Sequence, residues 1–548
     1  MSTPAAGAPG RPDIVLVLAD DMGFSDIGCF GGEIETPNLD RLGREGVRLT
    51  QFYNTARCSP SRASLMTGLH PHQVGVGILN FDDTPDGYPG DLRPECVTIP
   101  EALGRAGYAT YLSGKWHLSS DMETPNGSWP TRRGFDRFFG TLEGAGSFYR
   151  PRTLMRDETN VEHEAEQPGW HYTDAISAEA VSFVEQHHAQ RPEDPYFLYL
   201  AYTAPHWPLH AHEDDIAHYA GRFDAGWDVL REERLARLVS EGVLTDDHGG
   251  TGLAAGDPRV PRWEDAEDPA WQARRMEVYA AQVSAMDRGV GQLLDTLERL
   301  GRLDTTLVVF FSDNGGCAEE LDVDFVTAFV PLQDTTREGD PVVPGNVPGL
   351  MPGSEATYQS YGRPWAHLSN APFREYKHWV HEGGIATPLL LRWPAGLPGG
   401  PAAPDEPGGR LVREPFQLVD VLPTLLEAAG ADYPTERDGV AVPPAEGRSM
   451  LPGIAGADVA PRALFWEHEG NAAVRSGPWK LVRKHATPWE LYAIEEDRAE
   501  LHDLAAAHPE VVAGLSERYD AWAARCGVIP RETVLALYER RGRGLPPE

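Results

Sequence analysis

The stretch Asp13-Ile14-Val15-Leu16-Val17-Leu18-Ala19, followed by Asp20-Asp21, decides the fold. It is a continuous apolar run rich in β-branched residues. Such a run fits a strand buried on both faces, as in a parallel sheet. Comparable runs recur at 109–113, 196–202, 306–311 and 388–392. Helical patterns lie between them, at 36–45, 99–106, 174–186 and 271–300. Strands alternating with helices predict a doubly wound α/β sheet.

Working outward, the 548 residues suffice for one large α/β domain and a smaller one. Hydrophobic residues make up 41%, so a large core is available. Residues 1–12 are rich in Ala, Gly and Pro and read as a disordered arm. The large domain is expected over 13–435 and the smaller over 436–548, with the boundary in Pro/Gly-rich sequence. Strand patterns at 463–467, 472–476, 479–483 and 489–493, then a helix at 509–526, predict a small antiparallel sheet with a terminal helix. The stretch 317–374 is Pro/Gly-rich and lacks sustained periodicity; connections of that length are usually functional.

Lysine and arginine total 48 against 83 aspartates and glutamates, a net charge of −35. That field repels nucleic acid and anionic membranes, so neither is an expected partner. It also repels anionic substrates at long range. Any sulfate or phosphate site must be made locally positive by a metal, an arginine or a lysine. Five scattered cysteines argue against a disulfide scaffold and for a reducing compartment. The first residues lack the basic and apolar segments of a secretory signal, and no apolar stretch is long enough to span a bilayer. The expected location is the cytoplasm. Nothing in the sequence sets an oligomeric state.

Ligands gather at the carboxyl ends of strands in open parallel sheets. Four runs deliver polar residues there: Asp20-Asp21, Lys115 to His117, His206, and Asp313-Asn314. Singly, each acidic pair fits a helix cap or a turn. Together, Asp20, Asp21, Asp313 and Asn314 make an oxygen-rich set that calls for a hard cation, Ca²⁺ or Mg²⁺. Cys58 precedes a helical pattern with Pro60 in its first turn, where free backbone N–H groups attract an anion. Arg62, one turn on, points back to the same place.

The run Cys58-Ser59-Pro60-Ser61-Arg62-Ala63-Ser64-Leu65-Met66-Thr67-Gly68 resembles the signature of the type I sulfatases, formylglycine-dependent arylsulfatases of the alkaline phosphatase superfamily. Gly114-Lys115-Trp116-His117-Leu118 resembles a second family block, with Ser119 where glycine commonly follows. His206 in Ala204-Pro205-His206-Trp207-Pro208 and Lys377, five residues before Glu382-Gly383-Gly384, resemble two more. The stretch 358–386 is similar to bacterial arylsulfatases of the cytoplasmic kind, and Trp489-Glu490-Leu491-Tyr492 resembles the family's carboxy-terminal segment.

The resemblance implies an alkaline phosphatase-like α/β/α sandwich with a large, mostly parallel sheet, plus a smaller C-terminal α+β domain with a short antiparallel sheet. It implies hydrolysis of aryl or alkyl sulfate monoesters to an alcohol and inorganic sulfate. In the family, the cysteine is oxidised to Cα-formylglycine by a formylglycine-generating enzyme, a transient partner. The aldehyde hydrate attacks sulfur, giving a covalent sulfo-enzyme. The implied metal set, usually for calcium with Mg²⁺ as the alternative, is Asp20, Asp21, modified Cys58, Asp313 and Asn314. Arg62 holds the hydrate. Lys115 contacts a sulfate oxygen, and His117 bonds the formylglycine hydroxyl. His206 and Lys377 bind substrate near the leaving oxygen, and one of them protonates or stabilises it. The rival enzyme is a phosphonate monoester or phosphodiester hydrolase. Those relatives commonly carry histidine where Asn314 stands, so the Asp-Asn pair favours sulfate. If Cys58 stays a thiol, the alternative is a non-catalytic sulfate-binding protein.

Overall fold

The computed structural model describes residues 10–245, 257–330, 332–397 and 409–542. The expected disordered arm lies outside these residues up to position 9. Its end is seated, since the Tyr108 hydroxyl donates to the Pro12 carbonyl at 3.0 Å.

An eleven-stranded sheet forms the middle layer. From one edge the strands are Arg410–Val412, Val47–Tyr53, Ala386–Arg392, Thr306–Ser312, Asp13–Ala19, Tyr196–Ala201, Ala109–Gly114, Arg137–Thr141, Leu154–Arg156 and Thr159–Asn160, with Phe416–Gln417 paired beside Val47–Tyr53. The five from Thr306–Ser312 to Arg137–Thr141 are parallel. Ala386–Arg392 runs antiparallel to both its neighbours. Its apolar run reads like the parallel ones because a strand covered on both faces shows the same pattern in either direction.

Both faces are covered, which explains the missing alternation. Val15, Val17 and Ala19 enter one core with Leu198, Leu200, Val308 and Phe310. Ile14, Leu16 and Leu18 enter the other with Phe197, Tyr199, Leu307 and Phe311. The helical patterns appear as Pro37–Glu45, Ile99–Arg105, Tyr172–Gln190 and Pro269–Arg299. Thr98 and Glu101 form a capping box at the second of these, and the Asp268 side chain caps the fourth. The 317–374 stretch carries short elements: helices Val323–Phe329 and Gly362–Ser369, and strands Val343–Pro344 and Thr357–Tyr358.

A four-stranded antiparallel sheet follows: Ala463–His468, Asn471–Ser476, Trp479–Arg483 and Glu490–Ala493. One face (Val474, Leu481, Leu491) packs on helix Pro509–Cys526 through Leu515, Tyr519 and Trp522. The other face (Trp466, Ala473, Val482, Tyr492) joins the main core. A last helix, Arg531–Arg540, seats Val534 and Tyr538 on Ile78 and Tyr88. The architecture is therefore the α/β/α sandwich with a smaller antiparallel-sheet region that the resemblance implies. Among the described residues no helix is long and apolar enough to cross a membrane.

Candidate active site

Parallel strands end on one edge, and the candidate residues follow those ends. Asp20 and Asp21 come after Asp13–Ala19, and Asp313 and Asn314 after Thr306–Ser312. Lys115 follows Gly114, whose φ is +119°. A Cβ at Gly114 would lie 1.8 Å from the Ala201 carbonyl oxygen, so only glycine lets the chain turn there. Asp21 and His117 also sit in the left-handed region, at φ +66° and +61°. Cys58 opens helix Cys58–Thr67 and is 3% exposed. Lys377 lies on a loop tied at both ends of the site. Its N–H donates to the Gly316 carbonyl at 3.1 Å, and the His378 N–H donates to Ala56 at 2.7 Å.

These elements bring all ten candidates together: Asp20, Asp21, Cys58, Arg62, Lys115, His117, His206, Asp313, Asn314 and Lys377. All are buried, His117 the least at 8% exposed. Each carboxylate meets its own cation. Lys115 Nζ is 2.6 Å from Asp20 Oδ2, Lys377 Nζ is 2.7 Å from Asp21 Oδ2, and Arg62 Nη2 is 3.0 Å from Asp313 Oδ2. Arg62 Nη1 also donates to the Lys115 carbonyl at 2.9 Å. Asn314 Nδ2 donates to Asp21 Oδ1 at 2.7 Å. Arg57, Arg62 and Lys377 are neighbours of Cys58, so the sulfur lies among cations.

The mutual repulsion of the three carboxylates is thus partly offset by the chain itself. It is not fully offset. Asp20 Oδ1 and Asn314 Oδ1 are buried and lack a hydrogen-bond partner among the described residues. Two orphaned oxygens beside two further carboxylates suit a hard divalent cation. Burial pushes Asp20 up to about 6, reinforced by Asp313. Burial acts on Asp21 too, but the charge of Lys377 and the hydrogen bonds from Lys377 and Asn314 outweigh it and hold the group at about 2. Burial opposes the charge on Lys377, yet Asp21 raises it well above the ordinary lysine value. Burial lowers His206 to about 4 and takes His117 well below its usual value, so both rings are neutral near pH 7.

His206 Nδ1 is 2.5 Å from the Trp207 carbonyl, which can only accept, so Nδ1 carries the proton. Nε2 is then the acceptor facing Lys377 Nζ at 3.3 Å.

Sequence reasoning missed a ring of supporting residues. Arg57 pairs with Glu319 at 2.7 Å, and Glu319 accepts from Trp207 Nε1 at 2.9 Å. Asn54 Nδ2 donates to the Ser312 carbonyl at 2.8 Å, bracing the strand end before Asp313. Gly144 lies against the His117 ring, where a Cβ would come within 2.3 Å. Their partners are distant in sequence, and no local pattern marks them.

Known proteins resemble this chain over most of its length. The sulfatase family profile matches residues 12–431. An uncharacterized sulfatase of Schizosaccharomyces pombe is 33% identical over 95% of this chain and 94% of its own length. The arylsulfatase of Klebsiella aerogenes is 32% identical over 77% of this chain and 87% of its own. Mouse steryl-sulfatase is 30% identical over 87% of this chain and 70% of its own. The crystal structure of Ps i-CgsB with k-i-k-neocarrahexaose superposes with a TM-score of 0.65 at 25% identity, over 97% of this chain and 98% of that one. A strand-edge site with paired acids and cations, on a chain that matches the family over most of its length, leads to one conclusion: this chain belongs to the sulfatase family of sulfuric ester hydrolases.

Proposed function

We propose that this chain hydrolyses aryl or alkyl sulfate monoesters to an alcohol and inorganic sulfate, with Cys58, converted to Cα-formylglycine, as the reactive position. The observation that carries the reading is the pairing of three buried carboxylates with Arg62, Lys115 and Lys377 around a helix-start cysteine, with two acid-edge oxygens left over. Relatives named arylsulfatase and steryl-sulfatase support the aryl or alkyl class.

Asp20, Asp21, Asp313 and Asn314, with the modified Cys58, would hold a divalent ion, calcium before magnesium, which supplies positive charge to sulfate oxygens. The hydrated aldehyde at position 58 supplies a hydroxyl nucleophile and a second hydroxyl through which sulfate is later expelled. The remaining work falls to the chain. Arg62, locked between Asp313 and the Lys115 carbonyl, fixes the orientation of residue 58. Lys115 binds a sulfate oxygen. His117 is neutral and its Nδ1 is buried without a partner, so the ring is poised to take a proton from a hydroxyl at position 58. Lys377 carries the proton next to the leaving oxygen, with His206 Nε2 as its acceptor partner. Preorganised cations in a buried cleft supply the largest share of rate.

Two measurements test this. Conversion of Cys58 lowers the mass of its peptide by about 18 Da. Cys58→Ala should abolish sulfate release with the melting temperature unchanged. An unmodified thiol in active protein, or activity in the alanine variant, sinks the assignment. An aryl phosphodiester hydrolysed faster than the matching aryl sulfate would instead favour the phosphonate monoester hydrolase reading, against which Asn314 stands.

A further inference from the structure

Outside the strand-edge site, three side chains on two helix starts face one another. His171 precedes helix Tyr172–Gln190, Asp174 lies in its first turn, and His212 precedes helix Glu213–His218. One ligand atom from each lies within 4.8 Å of the other two. His212 Nε2 is 2.9 Å from Asp174 Oδ2, and the His171 and His212 ring centroids are 4.7 Å apart.

His171 is the telling member. It is 3% exposed, and neither ring nitrogen has a hydrogen-bond partner among the described residues. The His210 backbone is close to the ring, without hydrogen-bond geometry. A neutral imidazole always has one N–H and one lone pair, so burial with both unmet is costly and needs a reason. The ring cannot swing out for water, because Phe148 stacks on it at 5.7 Å and Tyr149 meets it edge-on at 5.2 Å. His210 is already spent, its Nε2 on the Thr357 carbonyl and its Nδ1 on the Phe148 N–H.

We propose that His171, Asp174 and His212 bind a first-row divalent transition ion, zinc being the test case, with a fourth position open to solvent. Two imidazoles and one carboxylate suit zinc rather than calcium, which takes oxygen ligands. With metal–ligand bonds of about 2.1 Å in tetrahedral geometry, donor atoms lie about 3.4 Å apart. The 2.9 Å pair must open by about 0.5 Å, and the others, within 4.8 Å, close by up to about 1.4 Å. Asp174 and His212 have that freedom, their side chains being 47% and 35% exposed. The charges around the site permit a cation. Arg288 is 4.0 Å from Asp174 Oδ1 but is neutralised by two 2.9 Å bonds to Asp215. The positive helix starts are offset by Asp174, Glu213, Asp214 and Asp215. None of the three ligands belongs to the strand-edge site, so this inference stands apart from the catalytic reading.

The test uses the full-length protein saturated with calcium and then titrated with Zn²⁺. The wild type should bind one more zinc per chain than His212→Ala, whose partly exposed ring leaves the fold undisturbed. Co²⁺ in place of zinc should give visible d–d bands in the wild type that are absent from His212→Ala. Asp174→Asn should weaken zinc binding at least 10-fold, and it carries the comparison should His212→Ala not fold. Equal zinc in wild type and variant, or no zinc bound by folded wild type, overturns the site.

Discussion

Lys377 shows what a single residue contributes. Its Nζ joins Asp21 Oδ2 at 2.7 Å and His206 Nε2 at 3.3 Å, so one ammonium bridges the acid set and the histidine. Lys377→Ala should lower kcat by about 10²–10³ for an alkyl sulfate, the scale for removing one preorganised charge. The loss should be much smaller for a nitrophenyl sulfate, whose leaving oxygen needs little help. Equal losses on both substrates would remove Lys377 from leaving-group chemistry. The acidic strand-end residues and Cys58 were legible in the sequence, because strand ends and a short motif are local signals. Arg57 and Glu319 were not. They meet at 2.7 Å across 262 residues, and nothing near either residue announces the other.

Gly114 carries the argument at the scale of elements. It ends a strand at φ +119°, against the Ala201 backbone, and so turns Lys115 into the site. Gly114→Ala should cost more than about 3 kcal/mol through strain and backbone displacement. A thermal melt checks this, and a variant as stable as wild type would show that the turn tolerates a side chain. Central strands were readable because burial on both faces leaves an unbroken apolar run. Val47–Tyr53 was not, since Arg48, Thr50 and Gln51 interrupt it. Arg48 is nonetheless 2% exposed, donating to the Cys29 and Gly409 carbonyls at 2.6 and 3.2 Å. Strand direction was also hidden. Ala386–Arg392 has the composition of its parallel neighbours, and only the pairing shows that it runs the other way.

For the whole molecule, the small sheet region is bound into the large one. Its inner face shares the main core, and Trp522 of its helix meets the ring of His70 at 5.0 Å and 86°, and that of His72 at 5.8 Å. Burial lowers His70 to about 3 from an ordinary 6.5, so the folded protein resists protonating it. The unfolded chain binds that proton first, so stability is lost as pH falls from 6.5 towards 3. At pH 5 the cost is about 2 kcal/mol. His70→Phe keeps an aromatic ring on Trp522 and cannot ionise. Between pH 7 and 5, denaturant titration should show it losing about 2 kcal/mol less than wild type. An equal loss would mean that His70 is not held neutral by burial. The sequence by itself determined the strand–helix alternation, the acidic strand ends and the cysteine motif at a helix start, because each is written within a few neighbouring residues. Only the tertiary structure decided which cation meets which carboxylate, which proton His206 keeps, and that the buried His171 ring has no hydrogen-bond partner among the described residues. Those depend on partners brought together by packing, and chain order carries no trace of them.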